Sequence, residues 1–312
     1  MKKQVVSQFI KVVSLAIFLA LFIGCSGCSD DKNPLSDDDN PMGGTDSTQT
    51  VNPTDNYPTT QFTVIGDVPY NDGERAGLID LIDAHNARAT SDFVVHVGDI
   101  KPGSEPCNQP VYEDVSGILK RFEIPTFIVL GDNEYNDCDT PSEALDLWNA
   151  YFLHFNKNWE FPVEIEYQEE RPENFAWVRN GVLFLGLNLV GSSVHDQAEW
   201  NDRLADDAEW VEKQLNVQDD KVAATVLFWH ANVTEVGPEK FESFTNRFKS
   251  AAGAFGKPVL YMQGDGHFWF KNRPWPEQNI LRVQVEAGVH AVQVTVDPDL
   301  EEPFSFDREF LD

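Results

Sequence analysis

Six residues in this sequence carry metal-ligating chemistry, and an apolar run precedes each. Asp67 follows "QFTVIG", Asp99 follows "DFVVHVG", Asp132 follows "PTFIVLG" and His230 follows "KVAATVLFW"; Asp265 and His267 close "VLYMQGDGH". An apolar run that ends in Gly-Asp reads as a buried strand leaving the core at a sharp turn. A carboxylate there is costly to desolvate unless it meets a cation, a hydrogen-bond network or water. One Gly-Asp alone is commonly a turn with a helix cap, and His230 alone reads equally well as a hydrogen-bonded core histidine. Five such strand ends are a different matter. Open α/β sheets place their sites at the carboxyl edge, so the cluster predicts a metal centre. His96, inside the second run, is expected to be structural.

Those strand ends need a scaffold. Strands are expected over 61–67, 92–99, 125–132, 221–230 and 257–267, with helices over 74–89, 112–123, 142–156, 197–215 and about 238–252 between them. Residues 174–191 read as a hairpin turning at Asn180-Gly181, and "ILRVQVE" and "HAVQVTVD" close the chain with alternation. Strand and helix alternate throughout. That pattern predicts one α/β domain over 61–312, a layered sandwich of mixed β-sheets flanked by helices.

In order, the blocks "GDVPY", "VGDI", "LGDNE", "FWH" and "GDGH" resemble the five blocks of the calcineurin-like metallophosphoesterases, over Asp67 to His267. The resemblance implies a metallophosphoesterase-like fold, two metal ions, and hydrolysis of a phosphomonoester or phosphodiester by metal-bound hydroxide. Carried over by position, Asp67 is the first-metal ligand and Asp99 the bridging carboxylate. Asp132 takes the place of an asparagine as second-metal ligand, and His230 is the isolated second-metal histidine. Asp265 stands at the first histidine of the last block, and His267 keeps the second. Two family histidines are replaced, by Pro69 in the first block and Asn133 in the third. The tyrosine that purple acid phosphatases place three after the bridging aspartate is Pro102 here.

Asn133 and Glu134 become the candidates for orienting phosphoryl oxygens or the leaving group. Lys101 is a candidate to neutralise phosphate charge, against the ordinary alternative of a solvated lysine. An oxygen-rich ligand set suits Mn, Mg or Ca more than Zn, with Fe or Zn still open. The lost histidines keep a second class of function in view: a non-catalytic receptor or scaffold that binds phosphate, a nucleotide or a metal. An EF-hand-like reading of Asp132, Glu134, Asn136 and Glu143 fails because Asp137 stands where the loop needs glycine.

The chain has 312 residues, with 23 Lys+Arg against 52 Asp+Glu and a net charge of −29. So acidic a body excludes nucleic-acid or anionic-lipid binding through bulk electrostatics. Lys2, Lys3 and Lys11 precede the apolar run from Val12 to Ile23, which ends in "LFIGC". This resembles a bacterial lipoprotein signal over 1–24 with Cys25 as the lipidated residue, Cys28 and an uncleaved anchor being the alternatives. Residues 25–60 are polar and acidic and read as a disordered tether. The expectation is an exported protein facing periplasm or cell surface, touching membrane only through its lipid. In such a compartment Cys107 and Cys138 are expected to form a disulfide. The substrate is expected to be a small phosphoester; oligomeric state is open.

Overall fold

Apolar alternation at the start of the domain forms β1 (Thr60–Ile65), which in this computed structural model is the first strand of the described residues, 56–312. The expected signal, Cys25 and most of the tether lie outside those residues. β1 is flanked in parallel by β2 (Phe93–His96), and β2 in parallel by β3 (Thr126–Ile128). The other edge of β1 pairs antiparallel with β11 (Val292–Val296), which pairs with β12 (Phe304–Asp307). A second, seven-stranded sheet runs β4-β5-β6-β7-β8-β10-β9. Its parallel centre is β6 (Val182–Gly186), β7 (Ala224–Phe228), β8 (Val259–Gln263) and β10 (Ile280–Gln284). β4 (Glu166–Tyr167), β5 (Phe175–Arg179) and β9 (Phe270–Asn272) complete it antiparallel.

The two sheets face each other across an apolar layer that includes Phe62, Phe93, Phe127, Trp177, Phe184, Phe228 and Met262. Ring stacking is dense there: Phe127 and Trp177 lie 4.3 Å apart centroid to centroid. Apolar stripes on α1 (Asp72–Arg88), α2 (Gln109–Leu119) and α3 (Pro141–Phe152) cover the outer face of the first sheet. α4 (Gln197–Gln218) and α5 (Glu242–Phe255) cover the second. The layered α/β sandwich is therefore present, and no described helix is long and apolar enough to cross a membrane.

Local signals explain most boundaries. Asn71 caps α1 by accepting from the Glu74 N–H at 3.0 Å, and Asp196 caps α4 in the same way. α2 and α3 carry proline in their first turn, where a missing N–H costs nothing. The hairpin turns at Asn180-Gly181, both with positive φ. Some expectations need correcting. The helix expected over 112–123 starts earlier and stops at Leu119, because Pro110 initiates it. The two closing strands belong to different sheets. Thr60 pairs with Val296 and Asn180 Nδ2 donates to the Thr59 carbonyl, so the folded body begins before residue 61.

Candidate metal centre

Parallel pairing of β1, β2 and β3, and of β7 and β8, brings the predicted strand ends to one lip of the two sheets. The turns there are tight. Asp67, Asp99, Asp265 and His267 have φ of 53°, 63°, 67° and 64°. Left-handed backbone costs a non-glycine residue about 1–2 kcal/mol, so four such residues at one site mark a geometry imposed by their surroundings. Backbone bonds across the loops impose it: Asp67 N–H donates to the Gly98 carbonyl at 2.9 Å and Val68 N–H to the Asp99 carbonyl at 3.0 Å. The Gly-Asp loops are also in close contact. A Cβ on Gly131 would sit 2.2 Å from Asp99 Oδ1, which is why only glycine serves there.

Asp99 is the hinge of the arrangement. Its Oδ1 lies 3.2 Å from His230 Nε2, which is also 3.5 Å from Asp132 Oδ1. Its Oδ2 faces the other way, accepting from the Tyr70 hydroxyl at 2.6 Å. Tyr70 Oη in turn lies 3.4 Å from Asp67 Oδ1 and 3.3 Å from His267 Nε2. Ligand atoms of Asp132, His230 and Asp265 fall within 4.8 Å of one another, as do those of Asp67, Asp99 and His230. His267 joins through Asp67, with Nε2 3.4 Å from Asp67 Oδ1. All six residues predicted as ligands thus converge. Asp67 and His230 are fully buried, whereas the His267 side chain is 54% exposed and marks the open side.

The cluster shifts its own protonation: against its burial Asp132 is held low by His230, while other members are raised. Burial, together with the neighbouring Glu134, Asp132 and Asp67 carboxylates, raises Asp99 well above the ordinary carboxylate range despite His230. Burial also raises Asp265. His230 is held well above the ordinary imidazole range: burial opposes this, but Asp99 and Asp132 outweigh it. Among the described residues, His230 and His267 are the only basic groups within ion-pair distance of the four aspartates. Asp67 Oδ2 has no hydrogen-bond partner, and His230 Nε2 meets Asp99 and Asp132 at ion-pair distance without a well-aligned hydrogen bond to either. His230 Nδ1 donates to the Val97 carbonyl at 2.8 Å, so Nε2 is the nitrogen left to bind an ion in place of its proton. Buried oxygens, an imidazole nitrogen and no competing ammonium fit divalent cations.

Several sequence expectations change at this level. Glu134 is fully buried and does not face a substrate. Its Oε1 accepts from Gly131 N–H at 2.6 Å and Asp99 N–H at 3.1 Å, and Oε2 from Ile100 N–H at 3.2 Å. It is corrected from an orienting catalytic group to a staple joining two metal loops. Asn133 is at the centre, but its amide donates to Asp99 Oδ2 at 2.5 Å. Lys101 is not solvated: it is buried and donates to the Pro102 and Glu105 carbonyls. His96 is structural, with Nε2 donating to the Val68 carbonyl at 3.0 Å. Cys107 and Cys138 are joined, their Cα atoms 5.8 Å apart.

The residue that sequence reasoning missed is Tyr70. Its only signal was its place in "GDVPY", directly after the proline that replaces a family histidine. Burial, then the Asp99 and Asp67 carboxylates, hold its phenol far above the usual range, which keeps the hydroxyl a donor.

The sequence pattern of the calcineurin-like phosphoesterases matches residues 60–261. No curated protein matches the chain. Among solved structures, a dimetal phosphatase from Danio rerio superposes with a TM-score of 0.51 at 13% identity, covering 76% of this chain and 95% of that one. GAP50, the anchor in the inner membrane complex of Plasmodium, gives 0.49 at 11% identity over 80% and 88% of the two chains. A purple acid phosphatase from yellow lupin seeds gives 0.47 at 11% identity over 82% and 55%. The likeness to the dimetal phosphatase, at 13% identity, is one of fold.

Proposed function

The chain belongs to the calcineurin-like phosphoesterase family, and from that premise we propose that it hydrolyses a phosphomonoester or phosphodiester at a centre of two divalent cations. The observation that carries this reading is the carboxylate of Asp99, with Oδ1 toward His230 and Oδ2 toward the Tyr70 hydroxyl, which itself lies beside Asp67 and His267. Asp67, Asp99 and His267 would hold one ion; Asp99, Asp132, His230 and Asp265 would hold the other. When bound, such ions supply Lewis acidity, lowering the pKa of a water and drawing charge from the phosphoryl oxygens.

The chain's own residues prepare the site for that chemistry. The Val97 carbonyl sets the His230 tautomer and so aims Nε2 inward. Asn133 braces Asp99 through both its backbone N–H, at 3.1 Å from Oδ1, and its amide. Asn232 N–H donates to Asp265 Oδ2 at 3.0 Å, fixing that carboxylate beside His230. An amide releases no proton at neutral pH, so Asn133 does not serve as the general acid for a leaving group. Hydrolysis should therefore favour leaving groups that depart without protonation.

That same loss of an acid supports the second reading, a relative that binds phosphate or a nucleotide without turnover. The test is a panel of aryl and alkyl phosphomonoesters and phosphodiesters with Mn²⁺-loaded protein, run beside phosphate calorimetry. Turnover that follows leaving-group acidity supports the enzyme. Phosphate binding with no turnover on any ester supports the receptor instead.

We further propose that the protein is exported and lipid-anchored at Cys25, on the strength of the leader "LFIGC" and the polar stretch after it. Fatty-acid labelling in cells should mark the wild type and not Cys25→Ser. Equal labelling of both would remove this proposal.

A further inference from the structure

The first ion site is one protein donor short where Pro69 replaces a family histidine, and Tyr70 stands beside that gap. We propose that Tyr70 Oη is a direct ligand of the ion held by Asp67, Asp99 and His267. The inference rests on the two-cation reading above and adds to it a donor at a position where the resemblance supplied none.

Four atoms define the position. Tyr70 Oη lies 2.6 Å from Asp99 Oδ2, 3.4 Å from Asp67 Oδ1 and 3.3 Å from His267 Nε2, and the last two are 3.4 Å from each other. Donors that surround one small cation at 2.0–2.2 Å are themselves separated by about 3 Å, so this spacing is that of a coordination shell. The side chain is placed there by rigid parts. Tyr70 N–H donates to Glu74 Oε2 at 2.8 Å, and Asn71, the next residue, caps α1. The ring also packs edge-on against the His267 imidazole, with centroids 5.5 Å apart. On binding, the Oη–metal bond replaces the O–H bond, and the proton that now points at Asp99 Oδ2 leaves to solvent.

The test uses the whole protein without substrate, which separates this inference from the question of turnover. Stripped protein is titrated with Mn²⁺ and, separately, loaded with ferric ion as an optical probe of phenolate ligation. Wild type should bind two Mn²⁺ per chain. Tyr70→Phe should weaken one of them by about tenfold or more, the scale of losing a group that holds a site together. Ferric wild type should show a visible phenolate-to-iron charge-transfer band that Tyr70→Phe abolishes, although the variant keeps six of the seven tyrosines. Phenylalanine preserves the ring and its packing, and an unchanged melting temperature would show the fold intact. Two ions bound by wild type with no such band, or a band that survives in Tyr70→Phe, would overturn the ligand assignment alone. Failure of wild type to bind any ion would overturn the two-cation reading, and this inference with it.

Discussion

Glu134 Oε1 accepts the backbone N–H of Asp99 at 3.1 Å, so a buried acid from one strand-end loop fixes the backbone that presents the Asp99 carboxylate on another. The same oxygen takes Gly131 N–H, and the second oxygen takes Ile100 N–H. Two loops that are far apart in sequence thus share one anchor, and three backbone N–H donors satisfy its buried oxygens.

That relationship predicts the behaviour of Glu134→Gln. An amide offers one acceptor where the carboxylate offers two, and hydrogen bonds to charged groups contribute about 1.5–3 kcal/mol. Denaturant unfolding should show a loss of that order, and metal affinity should fall with it. A variant with wild-type stability and metal content but slower turnover would restore Glu134 as a catalytic group.

Metal preference should follow from Asp132 and Asp265. They put charged oxygen where the family pattern has a neutral amide and an imidazole, which weakens any bias toward zinc. Activity titrations are expected to rank Mn²⁺ or Mg²⁺ above Zn²⁺, and Asp265→His to move the ranking toward zinc. Strongest reactivation by zinc, unchanged in the variant, would show that these carboxylates do not set the coordination.

The Cys107–Cys138 bridge spans a sequence separation of 31 and ties the loop after β2 to the loop after β3. Cross-linking a loop of that size stabilises a fold by about 3–4 kcal/mol in the chain-entropy account. The bridge also lies against the Asn133 carbonyl, with Cys107 Sγ 3.5 Å away. Reduction, or a Cys138→Ser substitution, should therefore lower both the unfolding midpoint and metal affinity. Free thiols in protein recovered from an oxidising compartment would count against the bridge.

A pH signature should come from Asp207 on α4. Burial pushes its carboxyl up to about 8, against stabilising neighbours Asn174, which donates at 2.7 Å, and Arg203. From about 4 to 8 the folded protein keeps a proton that the unfolded chain has released, so stability falls as pH rises through that window. His85 and His96, both lowered to about 4 by burial, act in the opposite sense, with stability rising from about 4 to 6.5. Between pH 6.5 and 8.5 the difference between the wild type and Asp207→Asn, read by urea unfolding, separates Asp207 from the other raised groups, Asp99 and His230. Wild type should lose stability relative to Asp207→Asn as pH climbs, and parallel curves would contradict the assignment.

The sequence by itself determined the local parts of this protein. Apolar runs, Gly-Asp turns, Asn180-Gly181 and the capping residues act over a few positions, so they were legible without a partner strand. The candidate ligand types at Asp67, Asp99, Asp132, His230, Asp265 and His267 were legible for the same reason: each follows an apolar run that must end there. Tertiary structure decided what those ends meet. It sent β10 and β11 to different sheets, because the choice depends on which edges, β8 or β1, remain open after long-range pairing. It buried Glu134 beneath two loops and spent Lys101 on carbonyls, where the sequence suggested an orienting group and a phosphate-neutralising or solvated lysine. It gave the two oxygens of Asp99 different partners, His230 and Tyr70, and carried Tyr70 next to Pro69's place in the site. Side-chain direction at a strand end depends on backbone φ, and four of these residues owe their left-handed φ to contacts from loops far away in the chain. No periodicity within a single element encodes those contacts.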